Sequence, residues 1–316
     1  MSDPSAPAES SSAAVQGRHC GGSALLSDYW ALTKPEVNFL ILITTFVGFY
    51  LASANEGQPF SFAALFNTLL GTLLVASGTG TLNQYVERKF DAQMRRTARR
   101  PAAAGRLTPS AVLVFGMVLA VIGAIYLATA VNLLASLLAT LTLVTYLFVY
   151  TPLKRKTPMC VLVGAFPGAM PPLIGWAAAS GRLSIEAAIL YAMLFLWQFP
   201  HFMAIAWMYR EDYDRAGYLV LPKGNARVPF VMLETLLPLF ALVAISIMQF
   251  PTRHAAIFYC AVALLGAGFT YFGWEFVFER SRVAARRLLT ASIVYLPLLY
   301  GLMLYGLSAT FCDRAR

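Results

Sequence analysis

Nine apolar stretches recur along this chain, each long enough to cross the hydrocarbon core of a bilayer as a helix that satisfies its own backbone hydrogen bonds. A window of about 20 residues places the helices at roughly 36–54, 61–86, 109–129, 131–151, 159–180, 184–209, 228–250, 255–278 and 288–310. Thr108-Pro109 and Ser184 read as helix starts, and Asn55-Glu56-Gly57-Gln58-Pro59 and Phe250-Pro251-Thr252 as turns. Prolines 167, 171, 172, 200 and 297 fall inside spans, where a helix bundle accommodates kinks. Of the 316 residues, 59% are hydrophobic and 12% charged, against about 25% charged in soluble domains. A water-soluble globule is excluded. The chain reads as one all-α integral membrane domain over 28–316, preceded by a tail, 1–27, that is rich in Ser, Ala, Pro and Gly and expected to be disordered.

The net charge of +9 raises nucleic acid as a partner, but no basic patch is mounted on a soluble fold that could present it to a duplex. Sorting Lys and Arg by side of the membrane explains the charge better. With nine spans, 20 of the 24 fall on the side of the amino terminus, and only Arg182, Arg253, Arg314 and Arg316 fall opposite. By the positive-inside rule the amino terminus is expected in the cytoplasm and the carboxyl terminus outside. An even number of spans would spoil this partition. Cys20, Cys160, Cys260 and Cys312 are too scattered for a disulfide framework or a metal motif. The tail has no apolar core of a secretory signal, and Asp3 and Glu9 with a single Arg argue against a transit peptide, which favours a bacterial plasma membrane.

Chemistry is concentrated at the cytoplasmic ends of the spans. The second span closes with Asn83-Gln84-Tyr85-Val86-Glu87-Arg88-Lys89-Phe90-Asp91, and a spacing of four places Asn83, Glu87 and Asp91 on one helical face. Three oxygen donors in a ladder suit a hard cation such as Mg²⁺, whose coordination substrate phosphates commonly complete. They equally suit a solvated helix end paired to Arg88 and Arg95. The loop that follows, Met94-Arg95-Arg96-Thr97-Ala98-Arg99-Arg100-Pro101, offers guanidinium forks for phosphate or anchors for anionic lipid. A second basic loop runs from Tyr150 to Thr157, and a third loop, Tyr209 to Gly217, carries the other acid cluster.

These residues resemble the UbiA superfamily of intramembrane prenyltransferases and, within it, the branch that farnesylates heme. The resemblance rests on TKPEV before the first span, NQYVERKFDAQMRRTARRP, YTPLKRKTP, GAMPPLIGW and WQFPHFMAIAWMYREDYDRAGYLVLP, in that order, and it covers the chain from Asp28 onward. It implies a nine-helix bundle around a central cavity open sideways to lipid and capped by cytoplasmic loops. It also implies farnesyl diphosphate and heme B as substrates, Mg²⁺ as cofactor, and heme A synthase as a candidate partner. Carried over by position, Asn83, Glu87 and Asp91 form the first metal site, and Asp212 with Glu211 the second. The match departs from the superfamily in three places. Glu87 stands where Asp is frequent, Tyr209 and Tyr213 occupy the acidic positions of the second motif, and Cys160 replaces a common Asn.

On this reading Arg96, Arg100, Lys154 and Arg155 bind the diphosphate and stabilise its departure, with Lys154 counted as catalytic beside Asn83, Glu87, Asp91 and Asp212. Tyr150 and Trp197 present aromatic faces to the farnesyl cation and line the heme site with His201. His201 can ligate iron through a neutral imidazole, or it can be a packed residue beside the Pro200 kink. Glu234 reads as an internal hydrogen-bonding group, Pro171-Pro172 with Gly175-Trp176 as a helix-shaping segment, and Trp30, Trp207 and Trp274 as interface anchors. Another UbiA-type acceptor is the alternative function. It predicts two complete acidic motifs and gives no reason for PHF or PPxxGW. A secondary transporter would need internal repeats and midplane charges, which the sequence lacks.

Overall fold

The computed structural model describes residues 22–55, 60–247 and 255–314. The two turns at 55–59 and 250–252 and the tail up to residue 21 therefore lie wholly or mostly outside the described residues. The first helix, α1 (Gly22–Leu32), begins six residues inside the segment assigned to the tail. After it come α2 (Pro35–Asn55), α3 (Phe62–Asp91), α4 (Pro109–Ala130), α5 (Leu133–Val144), a π-helical turn (Thr145–Tyr150), α6 (Thr151–Leu153), α7 (Cys160–Gly168) and α8 (Met170–Ser180). The chain ends with α9 (Ile185–Met208), the short α10 (Arg210–Arg215), α11 (Arg227–Ile247), α12 (Ala255–Glu279) and α13 (Arg282–Arg314). Among the described residues, nine helices are long and apolar enough to cross a membrane. The chain is a multi-pass membrane protein.

Local chemistry accounts for the boundaries. Ser61, Thr108, Asn132 and Ser184 each accept, through the side chain, a backbone N–H three residues on, which caps α3, α4, α5 and α9. Two spans that the sequence presents as single helices are irregular. Pro152 has no N–H to give, and the Thr151 amide reaches back five residues to the Tyr146 carbonyl, which produces the π-turn. Pro171 and Pro172 likewise interrupt the fifth span, which resumes as α8 after Ala169. The second span differs in the other direction. α3 has 30 residues, about 45 Å at 1.5 Å per residue, and overshoots a hydrocarbon core of about 30 Å. The part past Val86, where the apolar run stops, carries Glu87 and Asp91.

Packing is closest where side chains are smallest. α3 lies on α4 through Gly78 and Gly116, and α2 lies on α8 through Gly48 and Gly175. A Cβ at Gly175 would stand 2.0 Å from the Thr45 carbonyl oxygen, so the expected role of this segment, letting two backbones approach, is what the helices show. The larger core joins α2, α7 and α8 to α9, α11, α12 and α13, around Trp176, Met203, Leu239, Phe269 and Phe276. Trp30 and Trp274 are exposed, as membrane anchors would be, but Trp207 is buried, and its indole donates to the Arg280 carbonyl at 2.8 Å. It staples α9 to the α12–α13 turn.

Alternation brings the α3–α4, α6–α7, α9–α11 and α12–α13 connections to one end, where they touch. Arg106 pairs with Asp28 at 2.8 Å, the Leu219 amide donates to the Lys154 carbonyl at 2.7 Å, and Arg282 pairs with Glu211 at 3.0 Å. The charged loops thus form a cap across that end of the bundle.

Candidate active site

Under this cap the last turns of α3 are buried. Asn83 and Asp91 are 1% exposed and Glu87 5%, and polar groups so placed need partners. They find cations. Lys34 donates to Asn83 Oδ1 at 3.0 Å, the Asn83 amide donates to Glu87 Oε2 at 2.9 Å, and Lys154 donates to both Glu87 oxygens at 2.9 and 3.1 Å. The Tyr218 hydroxyl also donates to Glu87, at 2.9 Å, and Arg100 donates to Asp91 at 2.8 Å. Three basic head groups, those of Lys34, Lys154 and Arg100, therefore face two carboxylates. The surplus is positive, as a site for a polyanion requires.

Two of these partners, Lys34 and Tyr218, were not among the residues singled out from the sequence. Lys34 sits at the α1–α2 turn with φ of 54°, a strained conformation that persists where the surroundings over-determine it. Burial, with Arg100 nearby, pushes its pKa down to about 7. Its sequence signal was a lysine directly before the proline that opens the first span. Burial and the adjacent Glu87 carboxylate push the Tyr218 phenol up, which keeps it a proton donor. Burial also works against the Lys154 charge, but Tyr150 and Glu87 outweigh it and hold that ammonium well above the ordinary lysine range.

The remaining sequence candidates divide into three groups. Tyr150 belongs to the α3 site, because its ring lies 4.5 Å from the Lys154 ammonium. Arg155 lies over the Phe90 ring at 4.3 Å, one residue from Asp91. Arg96 meets the Tyr213 hydroxyl at 3.4 Å and the Tyr209 ring at 5.0 Å, so the two tyrosines in the second motif's acidic positions hold an arginine. On α10, Asp212 pairs with Arg215 at 3.0 Å, while Glu211 is exposed and pairs with Arg282. No hydrogen bond among the described residues links Glu211 or Asp212 to the α3 ladder. His201 and Trp197 form a third group on α9, against α13, with ring centroids 4.5 Å apart.

Among the described residues no cluster of three or more His, Cys, Asp or Glu side chains is close enough to hold a metal by itself. The α3 donor set is two carboxylates and one amide oxygen. Each of these already draws a cationic group, so it fits a hard divalent cation that substrate oxygens complete.

A helical membrane bundle with a buried oxygen ladder under a basic cap defines a class. The chain belongs to the UbiA prenyltransferase family, whose model matches residues 41–305. It is a prenyltransferase. Over 286 residues it is 44% identical to the protoheme IX farnesyltransferase of Solibacter usitatus (strain Ellin6076), a match covering 88% of this chain and 98% of that protein. A solved digeranylgeranylglyceryl phosphate synthase shares the fold with a TM-score of 0.70 at 16% identity, over 89% of this chain and 98% of that one. A UbiA homolog from Archaeoglobus fulgidus bound to GPP and Mg²⁺ does so with a TM-score of 0.61 at 14% identity, over 87% and 99%.

Proposed function

We propose that this protein transfers the farnesyl group of farnesyl diphosphate to a vinyl group of heme B, with addition of water, giving heme O and diphosphate. The observation that carries the reading is the buried Asn83–Glu87–Asp91 ladder met by Lys34, Lys154 and Arg100, together with the likeness to protoheme IX farnesyltransferases.

Asn83, Glu87 and Asp91 would hold Mg²⁺, with Asp212 and Glu211 as the second acidic site, and the ion would supply positive charge to the departing diphosphate. Around that site Arg96, Arg100, Lys154 and Arg155 bind diphosphate oxygens. Lys154 carries three donors and Arg100 five, enough to serve a carboxylate and a phosphate together. As the allylic carbon–oxygen bond breaks, its electrons leave with the diphosphate, and fixed cations stabilise that charge where it develops. The heme vinyl group attacks the farnesyl cation to form a carbon–carbon bond, water adds to the resulting cation, and a proton is released. Tyr150 offers an aromatic face beside Lys154, and Trp197 with His201 receives the heme. The amino terminus lies in the cytoplasm of a bacterial cell, and the cap faces the aqueous pool of the diphosphate. A heme A synthase in the same membrane is a candidate recipient of the product.

Detergent-purified protein incubated with heme B, farnesyl diphosphate and Mg²⁺ is expected to give a heme heavier by one farnesyl group and one hydroxyl group in the mass spectrum. Turnover of an aromatic acid acceptor with none of heme would contradict the reading.

A further inference from the structure

The structure assigns Ser292, on α13, a positioning role: it fixes the tautomer of His201 so that Nε2, not Nδ1, is offered to the heme iron. The assignment rests on the reading above that the acceptor is a heme.

His201 Nδ1 lies 2.8 Å from Ser292 Oγ, and that oxygen lies 2.6 Å from the Leu289 carbonyl oxygen. A carbonyl cannot donate, so without a proton between them two sets of lone pairs would face each other at 2.6 Å. The hydroxyl proton therefore points at Leu289. A serine has one such proton, so Ser292 accepts at its other contact, and the donor there is Nδ1–H of His201. A neutral imidazole protonated at Nδ1 carries its free lone pair on Nε2. Nε2 makes no hydrogen bond among the described residues and is not one of the side-chain atoms sealed without a partner in the interior. A buried histidine kept only for packing would also need a partner at one nitrogen but gains nothing from leaving the other open, whereas a metal-ligating histidine typically donates its other ring N–H to a fixed acceptor and keeps the free nitrogen for the metal.

The acceptor is held firmly. Ser292 is fully buried, and its own carbonyl receives the Trp197 indole N–H at 2.9 Å. Trp197 also stacks on the His201 ring from one turn earlier on α9, at 27° between planes, so one residue sets the ring's plane and Ser292 its protonation. No hydrogen bond or ion pair among the described residues joins this cluster to the α3 ladder. The two can be tested separately.

The test is a titration of the full chain in detergent with ferric heme B, without farnesyl diphosphate, read by absorption and electron paramagnetic resonance. Wild type is expected to show an imidazole-ligated heme. His201→Ala is expected to lose that signature and to regain it with added imidazole. Ser292→Ala is expected to weaken heme affinity by about 10- to 100-fold and to reduce the ligated fraction, with Ser292→Thr, which keeps the hydroxyl, restoring both. If Ser292→Ala does not purify as a monodisperse species, Ser292→Cys gives the same readout with a weaker acceptor. An unchanged spectrum in His201→Ala would overturn the iron ligand. Loss in His201→Ala with wild-type behaviour in Ser292→Ala and Ser292→Cys would overturn the role of Ser292. Absence of any heme binding by wild type would instead overturn the choice of acceptor.

Discussion

Two acid clusters share one end of this bundle and are built in opposite ways. On α3, Glu87 and Asp91 are buried and every carboxylate is met by a cation, whereas on α10, Glu211 is 62% exposed at its side chain and meets Arg282, itself 60% exposed. A solvent-facing pair of the second kind contributes little, about 0–1 kcal/mol. Burying the first kind costs desolvation that its ion pairs only partly offset, so such a cluster persists where function needs concentrated charge. The difference ranks the two clusters. On the proposed function, α3 is expected to carry the chemistry, and α10 to contribute through the half-buried Asp212 more than through Glu211.

Substitutions can break that ranking. Asp91→Ala is expected to abolish turnover, by about 10³-fold or more, while the protein still inserts and purifies as a monodisperse species. Chelation of divalent ions is expected to stop wild-type turnover just as fully, with Mg²⁺ restoring it. Lys154→Met, which removes the charge that meets Glu87 and, on the proposed function, the diphosphate, is expected to lower kcat by about 10²-fold. For Asp212→Asn, assayed across Mg²⁺ concentrations, the expectation is a fall of about tenfold that high Mg²⁺ partly recovers. Glu211→Gln is expected to stay within about twofold of wild type, as an exposed pair would. Equal losses in Asp91→Ala and Glu211→Gln would erase the distinction between the clusters.

The number of spans and the caps at Thr108 and Ser184 were legible in the sequence because apolar length and a Ser or Thr before a helix are local signals, whereas Ser61 and Asn132, which cap α3 and α5, were not singled out. The π-turn at Thr145–Tyr150 and the break before α8 were not, since proline marks a kink without saying how neighbours answer it. The apolar window of the second span stops at residue 86 because hydropathy ends where Glu87 begins, while the spacing of four carried the helix on to Asp91; the partners that meet Glu87 and Asp91 come from α6–α7, the loop after α10 and the α3–α4 loop. The ladder itself was legible from its spacing of four. Its partners Lys34 and Tyr218 lie 49 and 131 residues away from the side chains they contact, and only the folded chain brings them together. Trp207 was misread for the same reason, as its indole meets Arg280, 73 residues on.

The central claim is that the α3 ladder holds a divalent ion against the diphosphate, and Mn²⁺ in place of Mg²⁺ reads it directly. Electron paramagnetic resonance of Mn²⁺ added with farnesyl diphosphate is expected to show a protein-bound ion in wild type that disappears in Asp91→Ala. The same bound-ion spectrum in both proteins would contradict the claim.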